Sequence, residues 1–292
     1  MSAFDRRGWR EAPLFIVATA CLVVLGVAPR DAQARNLRVE AQIRSSSPAS
    51  GGPVKKPAVG PPLTTPSPPV IAIPFGAPGD LPVVGRWTGS PTTYIGLYRP
   101  RTSTFYLRTH NAAGPPDSVI AFGMPGDVPV VGRWCRGARS DALGVYRPKI
   151  RSLIFRCVNE ISTVPFGGPG DIPVAGDWWG TSYSSIGVYR PGKNTFLLSR
   201  GPSVGMTIPF GAAGDIPVIR HLPTGSLVGV YRPKAAAFLL SDSPASPSSV
   251  ITIPFGATHD IPLIGDWTGD GTSKVGVYRP RENTFHLKMT FP

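Results

Sequence analysis

The feature that most constrains the fold is a motif that occurs five times between residue 70 and the end of the sequence. It reads FGAPGDLPVVGRW in the first copy and FGATHDIPLIGDW in the last, and every copy continues to a Tyr-Arg-Pro segment. Each copy carries one aspartate before an x-Pro pair, at Asp80, Asp127, Asp171, Asp215 and Asp260. These aspartates are 47, 44, 44 and 45 residues apart, and such a period is typical of propellers, solenoids and other repeat arrays.

Each copy contains four short runs with strand character, separated by Gly and Pro. In the first copy they are residues 81–87, 94–98, 104–108 and 118–122. β-branched and aromatic residues dominate these runs, and about five residues is a usual strand length. Four strands in about 45 residues make one propeller blade. The sequence therefore predicts an all-β fold, a five-bladed β-propeller of four-stranded antiparallel blades over residues 70–292.

The phase of the repeat predicts how the ring closes. The repeat region opens with a lone strand of the fourth type, VIAIPF at residues 70–75, and ends after a strand of the third type, TFHLK at residues 284–288. The last blade therefore lacks its outer strand. Because free sheet edges invite aggregation, we predict that the N-terminal strand pairs with the last blade.

The first 69 residues differ from the repeats. Residues 1–34 have the pattern of a secretory signal peptide, with a basic start, an apolar run at residues 14–27 and the cleavage site Ala32-Gln33-Ala34. The run is shorter than the roughly 20 residues of a membrane-spanning helix, so we predict cleavage and no transmembrane helix in the mature chain, with a permanent anchor as the alternative. Residues 35–69 are rich in Pro and Ser and predict a disordered linker.

The charge balance narrows the choice of partners. The whole chain has a formal net charge of +13, and the chain without residues 1–34 has +12. A balance of this kind favours polyanionic partners. An exported chain in the periplasm, at the cell surface or outside the cell meets anionic glycans and cell-envelope polymers before nucleic acid. We therefore predict a monomer that binds such a polymer or another protein, and no nucleic acid.

The best-preserved copy resembles a known family of repeats. Residues 255–280 read FGATHDIPLIGDWTGDGTSKVGVYRP, which is similar to the FG-GAP and VCBS-type repeats of secreted bacterial proteins and to the propeller repeats of integrin α-subunits. The resemblance covers residues 70–292. It implies a propeller used for adhesion, ligand binding or scaffolding, although a fold of this kind does not specify one activity.

The resemblance also implies a calcium loop in the fifth repeat. Loops of the family hold Ca²⁺ through closely spaced oxygen ligands, and here Asp266, Thr268 and Asp270 occupy such positions. Lys274 stands where the family pattern has a further aspartate. We therefore expect no cofactor and favour a tight turn without metal, and one Ca²⁺ in this loop is the alternative that the resemblance implies.

The most regular charges in the chain are an aspartate and an arginine in every repeat. Their equal number favours structural ion pairs joined by charge-assisted hydrogen bonds, and a ring of ligand-binding arginines is the alternative. The acids are Asp80, Asp127, Asp171, Asp215 and Asp260, and the arginines of the Tyr-Arg-Pro segments are Arg99, Arg147, Arg190, Arg232 and Arg279.

Two further groups of residues are candidates for ligand binding. The first is a set of tryptophans that share one repeat position, Trp87, Trp134, Trp178 and Trp267. Exposed indole rings stack on sugars, but recurring aromatic residues more often pack one blade against the next, so we favour core packing and keep sugar stacking as the alternative. The second is a concentration of cations in the second repeat, Arg133, Arg136, Arg139, Arg147, Lys149, Arg151 and Arg156. We predict that several of these share one blade edge; a solvated face is the favoured interpretation, and binding of an anionic glycan or phosphate is the alternative.

The cysteines of the repeat region are Cys135 and Cys157. A predicted strand lies between them in the sheet, which places them about 10 Å apart, and a disulfide needs Cα atoms within about 7 Å. We therefore expect two free thiols.

Signals for catalysis are weak. Residues 201–205 match GxSxG, but the motif needs a strand-to-helix turn, and no helix is predicted after it. We predict an exported, non-catalytic binding or adhesion module for a carbohydrate or anionic cell-surface polymer. The alternatives are a scaffolding protein at the cell envelope and a hydrolase with its site at the central channel.

Overall fold

The computed structural model describes residues 69–158, 160–243 and 249–291. The predicted signal peptide, and the predicted linker up to residue 68, lie outside these ranges. Within them, no helix has the length and apolar character needed to cross a membrane. The helical segments in this part of the chain are two short 3-10 turns, Pro191–Lys193 and Pro233–Ala235.

The described residues form twenty strands in five blades. β1 is Val70–Pro74, and blade 1 contains β2 (Leu81–Gly85), β3 (Tyr94–Arg99), β4 (Thr104–Leu107) and β5 (Ser118–Ala121). Blade 2 contains β6 (Val128–Gly132), β7 (Ala142–Arg147), β8 (Ser152–Cys157) and β9 (Glu160–Pro165). Blade 3 contains β10 (Ile172–Gly176), β11 (Ser185–Arg190), β12 (Thr195–Arg200) and β13 (Ser203–Pro209). Blade 4 contains β14 (Ile216–Leu222), β15 (Gly225–Arg232), β16 (Ala237–Ser241) and β17 (Val250–Pro254), and blade 5 contains β18 (Ile261–Gly265), β19 (Lys274–Arg279) and β20 (Thr284–Lys288).

The strands of each blade pair with their neighbours in sequence, and all the pairs are antiparallel. The fourth strand of blade 5 is β1, which pairs antiparallel with β20 so that Ile73 lies opposite Phe285. The backbone N–H of Phe75 also donates to the carbonyl of Asn283 at 2.9 Å. The prediction of an all-β ring of five four-stranded blades is confirmed.

The first strand of every blade lies next to the axis of the ring. β2, β6, β10, β14 and β18 contact one another in that order, and β18 contacts β2 again. Glycines end most of these strands because the space there is filled from two sides. A Cβ at Gly176, for example, would lie 2.5 Å from the indole of Trp178 and 2.9 Å from Ser226 of the next blade.

The hydrophobic core lies between neighbouring blades. The tyrosine of each Tyr-Arg-Pro segment is at most 1% exposed, and Tyr231 packs on Phe238 with ring centroids 4.9 Å apart. The same cluster contains Val275 and Val277 of blade 5. Burial raises the pKa of the equivalent Tyr278 to about 12. Because burying a large apolar side chain contributes about 1.5–3 kcal/mol, these repeated contacts stabilise the ring at every blade junction.

The glycine of each Phe-Gly pair is required by the backbone and by close packing. Gly167 has φ +94°, and a Cβ there would lie 2.9 Å from both Tyr146 Oη and Val188 Cγ1. Gly170 in the same loop has φ +76°, and a Cβ there would have nothing within 4 Å. Of these two glycines, Gly167 is therefore the one that a neighbouring side chain constrains.

We expect Gly167→Ala to lower the free energy of unfolding by about 2 kcal/mol, since alanine adds backbone strain and overlaps Tyr146. Gly170→Ala is the matched control, with a loss of about 1 kcal/mol from strain alone. Urea unfolding of the two variants measures the difference. Equal losses would show that the close approach to Tyr146 adds nothing.

Candidate functional site

Each recurring aspartate lies against the arginine of the same blade. Arg190 Nε and Nη2 donate to Asp171 Oδ1 and Oδ2 at 2.9 and 2.8 Å, and the other four pairs have the same two-bond geometry at 2.8–3.1 Å. The aspartate side chains are at most 2% exposed. The hydrogen bond to Asp171 is the main cause that raises the pKa of Arg190. These arginines are therefore occupied by carboxylates of their own blades.

We call the side of the ring that carries these pairs the turn face. It contains the five turns that join the second and third strands of each blade, residues 100–103, 148–151, 191–194, 233–236 and 280–283. The opposite side, where the first strands end, is the cavity face. One cavity is lined by residues at the end of, or directly after, each of the five first strands, so the beginnings of these strands lie on the other side of the ring.

The turn face carries exposed cations in every blade. We call them the turn-face cations, Arg101, Lys149, Arg151, Lys193, Lys234 and Arg281. Among the described residues, none of them has a carboxylate within ion-pair distance. The recurring aspartates bind their own arginines, and Glu282 contacts Arg279 at 3.4 Å and His286 at 3.4 Å. This face therefore presents unneutralised positive charge from all five blades.

The structure divides the cations of the second repeat between the two faces. Arg133 lies at the cavity face, where its Nη2 donates to the carbonyl of Arg139 at 3.1 Å. Lys149 and Arg151 lie in the turn at the opposite end of β7 and β8. Arg147 is bound to Asp127. Antiparallel strands cause this division, because successive loops of one blade emerge at opposite ends.

The remaining cations of this repeat follow the same rule. Arg136 and Arg139 are exposed in the loop between β6 and β7, at the cavity face. Arg156 is exposed on β8, opposite Ile161, and lines a second cavity together with Thr102, Ser103 and Arg147 of the turn face. The grouping at the cavity face is therefore Arg133, Arg136 and Arg139, without Lys149, Arg151 and Arg156.

The expectation of free thiols in blade 2 is wrong. Cys135 and Cys157 form a disulfide with a Cα–Cα distance of 5.6 Å. Strand spacing gives the wrong distance here because β6 ends at Gly132. Cys135 lies beyond it in a loop that passes over the start of β7 and reaches the end of β8. The spacing of strands within a sheet does not limit such a loop.

A cavity of about 280 Å³ opens at the cavity face around the axis. Its lining includes one residue from the same repeat position of each blade, Arg86, Arg133, Asp177, His221 and Asp266. His221 is exposed to this cavity, and desolvation by the surrounding residues lowers its pKa; the carboxylates of Asp141 and Asp177 oppose this shift while Arg86 adds to it. His221 Nδ1 lies 3.0 Å from Ser226 Oγ. The cavity is thus polar and contains charges of both signs.

Pairs of hydrogen bonds join neighbouring blades at this cavity. Ser226 N donates to the carbonyl of Asp177 at 2.7 Å, and Asp177 N donates back to Ser226 Oγ at 2.9 Å. Thr93 forms the same pair with Asp266. Side chains at this repeat position also join the other blades, and the full set is Thr93, Asp141, Ser184, Ser226 and Ser273. Sequence reasoning missed them, although a small polar residue near the start of the second strand of every repeat was a visible signal.

The structure brings Asp266, Thr268 and Asp270 together in the loop after β18. They surround the side-chain nitrogen of Lys274, which lies 2.7 Å from Asp270 Oδ1 and 2.8 Å from Thr268 Oγ1. In the part of the chain that is described, no group of three or more His, Cys, Asp or Glu side chains has the arrangement of a metal site. The oxygen donors that the resemblance implies for Ca²⁺ thus contact the ammonium group of Lys274 in this structure.

The tryptophans lie in the core rather than on a face. Trp178 and Trp267 are 5% and 3% exposed, and their Nε1 atoms donate to the carbonyls of Ile186 and Val275 at 3.3 Å. Trp87 and Trp134 are partly buried against the clusters of blades 1 and 2. The buried rings of Trp178 and Trp267 offer no surface for stacking on a sugar, which corrects their place among the candidate ligand-binding residues.

The GxSxG match lies where the sequence places it, between strands. Ser203 is the first residue of β13, and Gly201 lies in the turn before it with φ +63°. A strand follows the serine instead of a helix. The absence of catalytic activity remains a prediction.

The fold and its repeated site define the chain as a five-bladed β-propeller repeat protein. No protein-family model matches the sequence, and no curated protein matches it significantly. Among solved structures, the chain is similar to one described as a crystal structure of BBS1N in complex with ARL6DN, soaked with mercury. The TM-score is 0.38 at 9% sequence identity, over 70% of this chain and 77% of that chain. The architecture is thus established by the strands and their pairing.

Proposed function

We propose that this chain is an exported, non-catalytic binding module whose turn face holds an anionic polymer of the cell surface, such as a carboxylated or phosphorylated glycan. The observation that carries the proposal is the set of turn-face cations, which lack carboxylate partners in the described residues. Every recurring aspartate on this face is already bound to an arginine. The charges are therefore available to a ligand.

The arrangement favours a polymer over a small ligand. A single exposed ion pair contributes about 0–1 kcal/mol, because water and salt screen it. Cations in all five blades of one ring allow several weak contacts with one chain, and contacts made within one complex add avidity. A repeating anionic chain gains from this arrangement, whereas a single sugar acid contacts one or two blades.

Two observations support export as part of the proposal. Disulfides persist in oxidising compartments outside the cytoplasm, and Cys135 and Cys157 are joined in blade 2. The pattern of residues 1–34 is that of a secretory signal. Resemblance to FG-GAP and VCBS-type repeats, many of which serve adhesion, points in the same direction.

We expect the wild-type chain to bind an immobilised polyuronate or poly(glycerol phosphate), with an affinity that falls about tenfold between 50 and 200 mM salt. The variant Lys149→Gln/Lys193→Gln/Lys234→Gln should bind about tenfold more weakly, from three contacts of about 0.5 kcal/mol each. Surface plasmon resonance measures both effects.

The matched control removes three cations from the cavity face of blade 2, Arg133→Gln/Arg136→Gln/Arg139→Gln. Both triple variants lose the same net charge, so only the position differs. The control should retain wild-type affinity within about twofold. Loss of binding in the control but not in the turn-face variant would place the site at the cavity face, and failure of the wild-type chain to bind either polymer would refute the proposal.

A protein partner is the second candidate, because a propeller suits a protein-interaction module and because the outer strands carry exposed aliphatic side chains. Val119, Ile161 and Val204 are 57%, 62% and 52% exposed on β5, β9 and β13. These strands have one hydrogen-bonded neighbour each, and a free edge accepts a strand from a partner. This candidate would be favoured if the wild-type chain captures an envelope protein, if the captured protein stays bound at high salt, and if the variant Ile161→Lys no longer captures it.

A further inference from the structure

The loop after β18 binds a cation that belongs to the protein itself. Lys274 Nζ lies 2.7 and 2.8 Å from the two carboxylate oxygens of Asp270, 2.8 Å from Thr268 Oγ1 and 3.0 Å from the carbonyl of Thr272. Asp266 Oδ1 is 3.6 Å away. The lysine side chain is 3% exposed. Five oxygen atoms therefore surround the ammonium nitrogen of Lys274.

These oxygens are the donors that a calcium loop uses. Ca²⁺ takes six to eight oxygen ligands from carboxylates, hydroxyls and carbonyls of one short loop. Asp266 also shapes this loop, because its carboxylate accepts the backbone N–H groups of Gly269 and Gly271 at 2.8 and 2.7 Å. The ammonium supplies three hydrogen-bond donors and one positive charge at the centre of this donor set. A metal ion and Lys274 Nζ cannot share that space.

The other repeats support this interpretation. The position of Lys274 holds Tyr94, Ala142, Ser185 and Leu227 in the other blades, and no other repeat has an aspartate in the position of Asp270. In blade 3, Asp177 instead accepts the N–H groups of Thr181 and Ser182 at 2.8 and 2.6 Å without a lysine. The buried lysine therefore occurs in the repeat that has both Asp266 and Asp270, and no other repeat has an aspartate at both positions.

Electrostatics agree with this geometry. The hydrogen bond from Lys274 is the main cause that holds the pKa of Asp270 below its usual range, and the N–H of Thr272 adds to the effect. A charged lysine excluded from water needs such partners, because a buried charge without them is costly. Lysine and carboxylates thus stabilise each other in the loop.

We propose that the ammonium group of Lys274 is the resident cation of a calcium-type loop, which keeps blade 5 folded without metal. Removing this group opens the loop to Ca²⁺. In Lys274→Asp the new carboxylate adds oxygen donors to those of Asp266, Thr268 and Asp270. In Lys274→Ala only the oxygens of Asp266, Thr268 and Asp270 remain, around the space that the ammonium group occupied. This role of Lys274 is independent of the proposed function.

The test is a titration of the full chain with Ca²⁺ by calorimetry and with Tb³⁺, whose emission Trp267 can sensitise from the adjoining position. We expect Lys274→Asp to bind Ca²⁺ with a Kd on the order of 10⁻⁴ M and Lys274→Ala about tenfold more weakly. Ca²⁺ at about 100 times the Kd should raise the Tm of Lys274→Asp by about 5 °C. The wild-type chain should show neither Tb³⁺ emission nor a change of Tm with Ca²⁺ or a chelator.

Lys274→Asp/Asp270→Asn is the matched control and should lose the binding that Lys274→Asp gains. Circular dichroism establishes whether each variant is folded. Saturable Ca²⁺ binding by the wild-type chain that Asp270→Asn abolishes would overturn the proposal, and so would a folded Lys274→Asp that binds no Ca²⁺. If Lys274→Asp folds neither with nor without Ca²⁺, the same titration is carried out with Lys274→Ala, and a folded Lys274→Ala that binds no Ca²⁺ would overturn the proposal.

Discussion

Arg190→Ala is expected to lower the free energy of unfolding by about 3 kcal/mol. The substitution leaves the carboxylate of Asp171, whose side chain is 0% exposed, without its charged partner. Breaking a buried pair in this way costs about 3–5 kcal/mol. The lower end applies because Arg190 is 34% exposed and water already screens the pair. Urea unfolding measures the loss.

A double-mutant cycle separates the ion pair from other effects. Asp171→Ala removes both the partner of Arg190 and the acceptor for the N–H of Gly168, which it holds at 2.7 Å. The double variant should lose less stability than the sum of the single losses, because the two residues interact directly. Lys193→Ala, in the next turn, is the control and should change stability by less than about 0.5 kcal/mol. An unchanged Tm in Arg190→Ala together with lost polymer binding would instead assign Arg190 to the ligand.

Removal of the blade 2 disulfide is expected to lower the free energy of unfolding by about 3 kcal/mol. The crosslink joins residues 22 positions apart, and without it the unfolded chain gains conformational freedom. The variant Cys135→Ser/Cys157→Ser should therefore unfold at lower urea concentration than the wild-type chain. The loop that carries Arg136 and Arg139 should also exchange its amide protons faster, because Cys135 ties that loop to β8.

Reductant provides the control for this prediction. It should destabilise the wild-type chain to the level of the double variant and leave the double variant unchanged. Alkylation before and after reduction counts the free thiols. Reaction of Cys135 and Cys157 in the unreduced, folded chain would contradict the disulfide and restore the expectation of free thiols.

Patterns within the repeat were sufficient to predict the blades. Strand residues alternate with Gly and Pro at a period that matches one blade, and each copy repeats the same local preferences. The pairing of Asp171 with Arg190 was also a favoured interpretation, because two opposite charges recur in equal number, one of each in every repeat. Both predictions concern features that every blade shares, so each of the five copies gives independent support to the same prediction.

Features of single loops could not be predicted in the same way. The position of Cys135 depends on where β6 ends and on the path of the loop beyond it. The separation of Arg133 from Lys149 depends on the direction in which each strand runs. Lys274 looked like a missing aspartate in sequence, and only the position of its Nζ among the oxygens of Asp270 and Thr268 shows what replaces it.

By itself, the sequence determined the number of blades, the number of strands in each and the residues that recur at each position. These follow from local preferences, which one repeat contains in full. The tertiary structure alone decided which side chains meet across blades, which cations remain unpaired on the turn face and which cation lies inside the last loop. Such contacts depend on distances between segments far apart in the chain, and residue spacing along the sequence does not contain those distances.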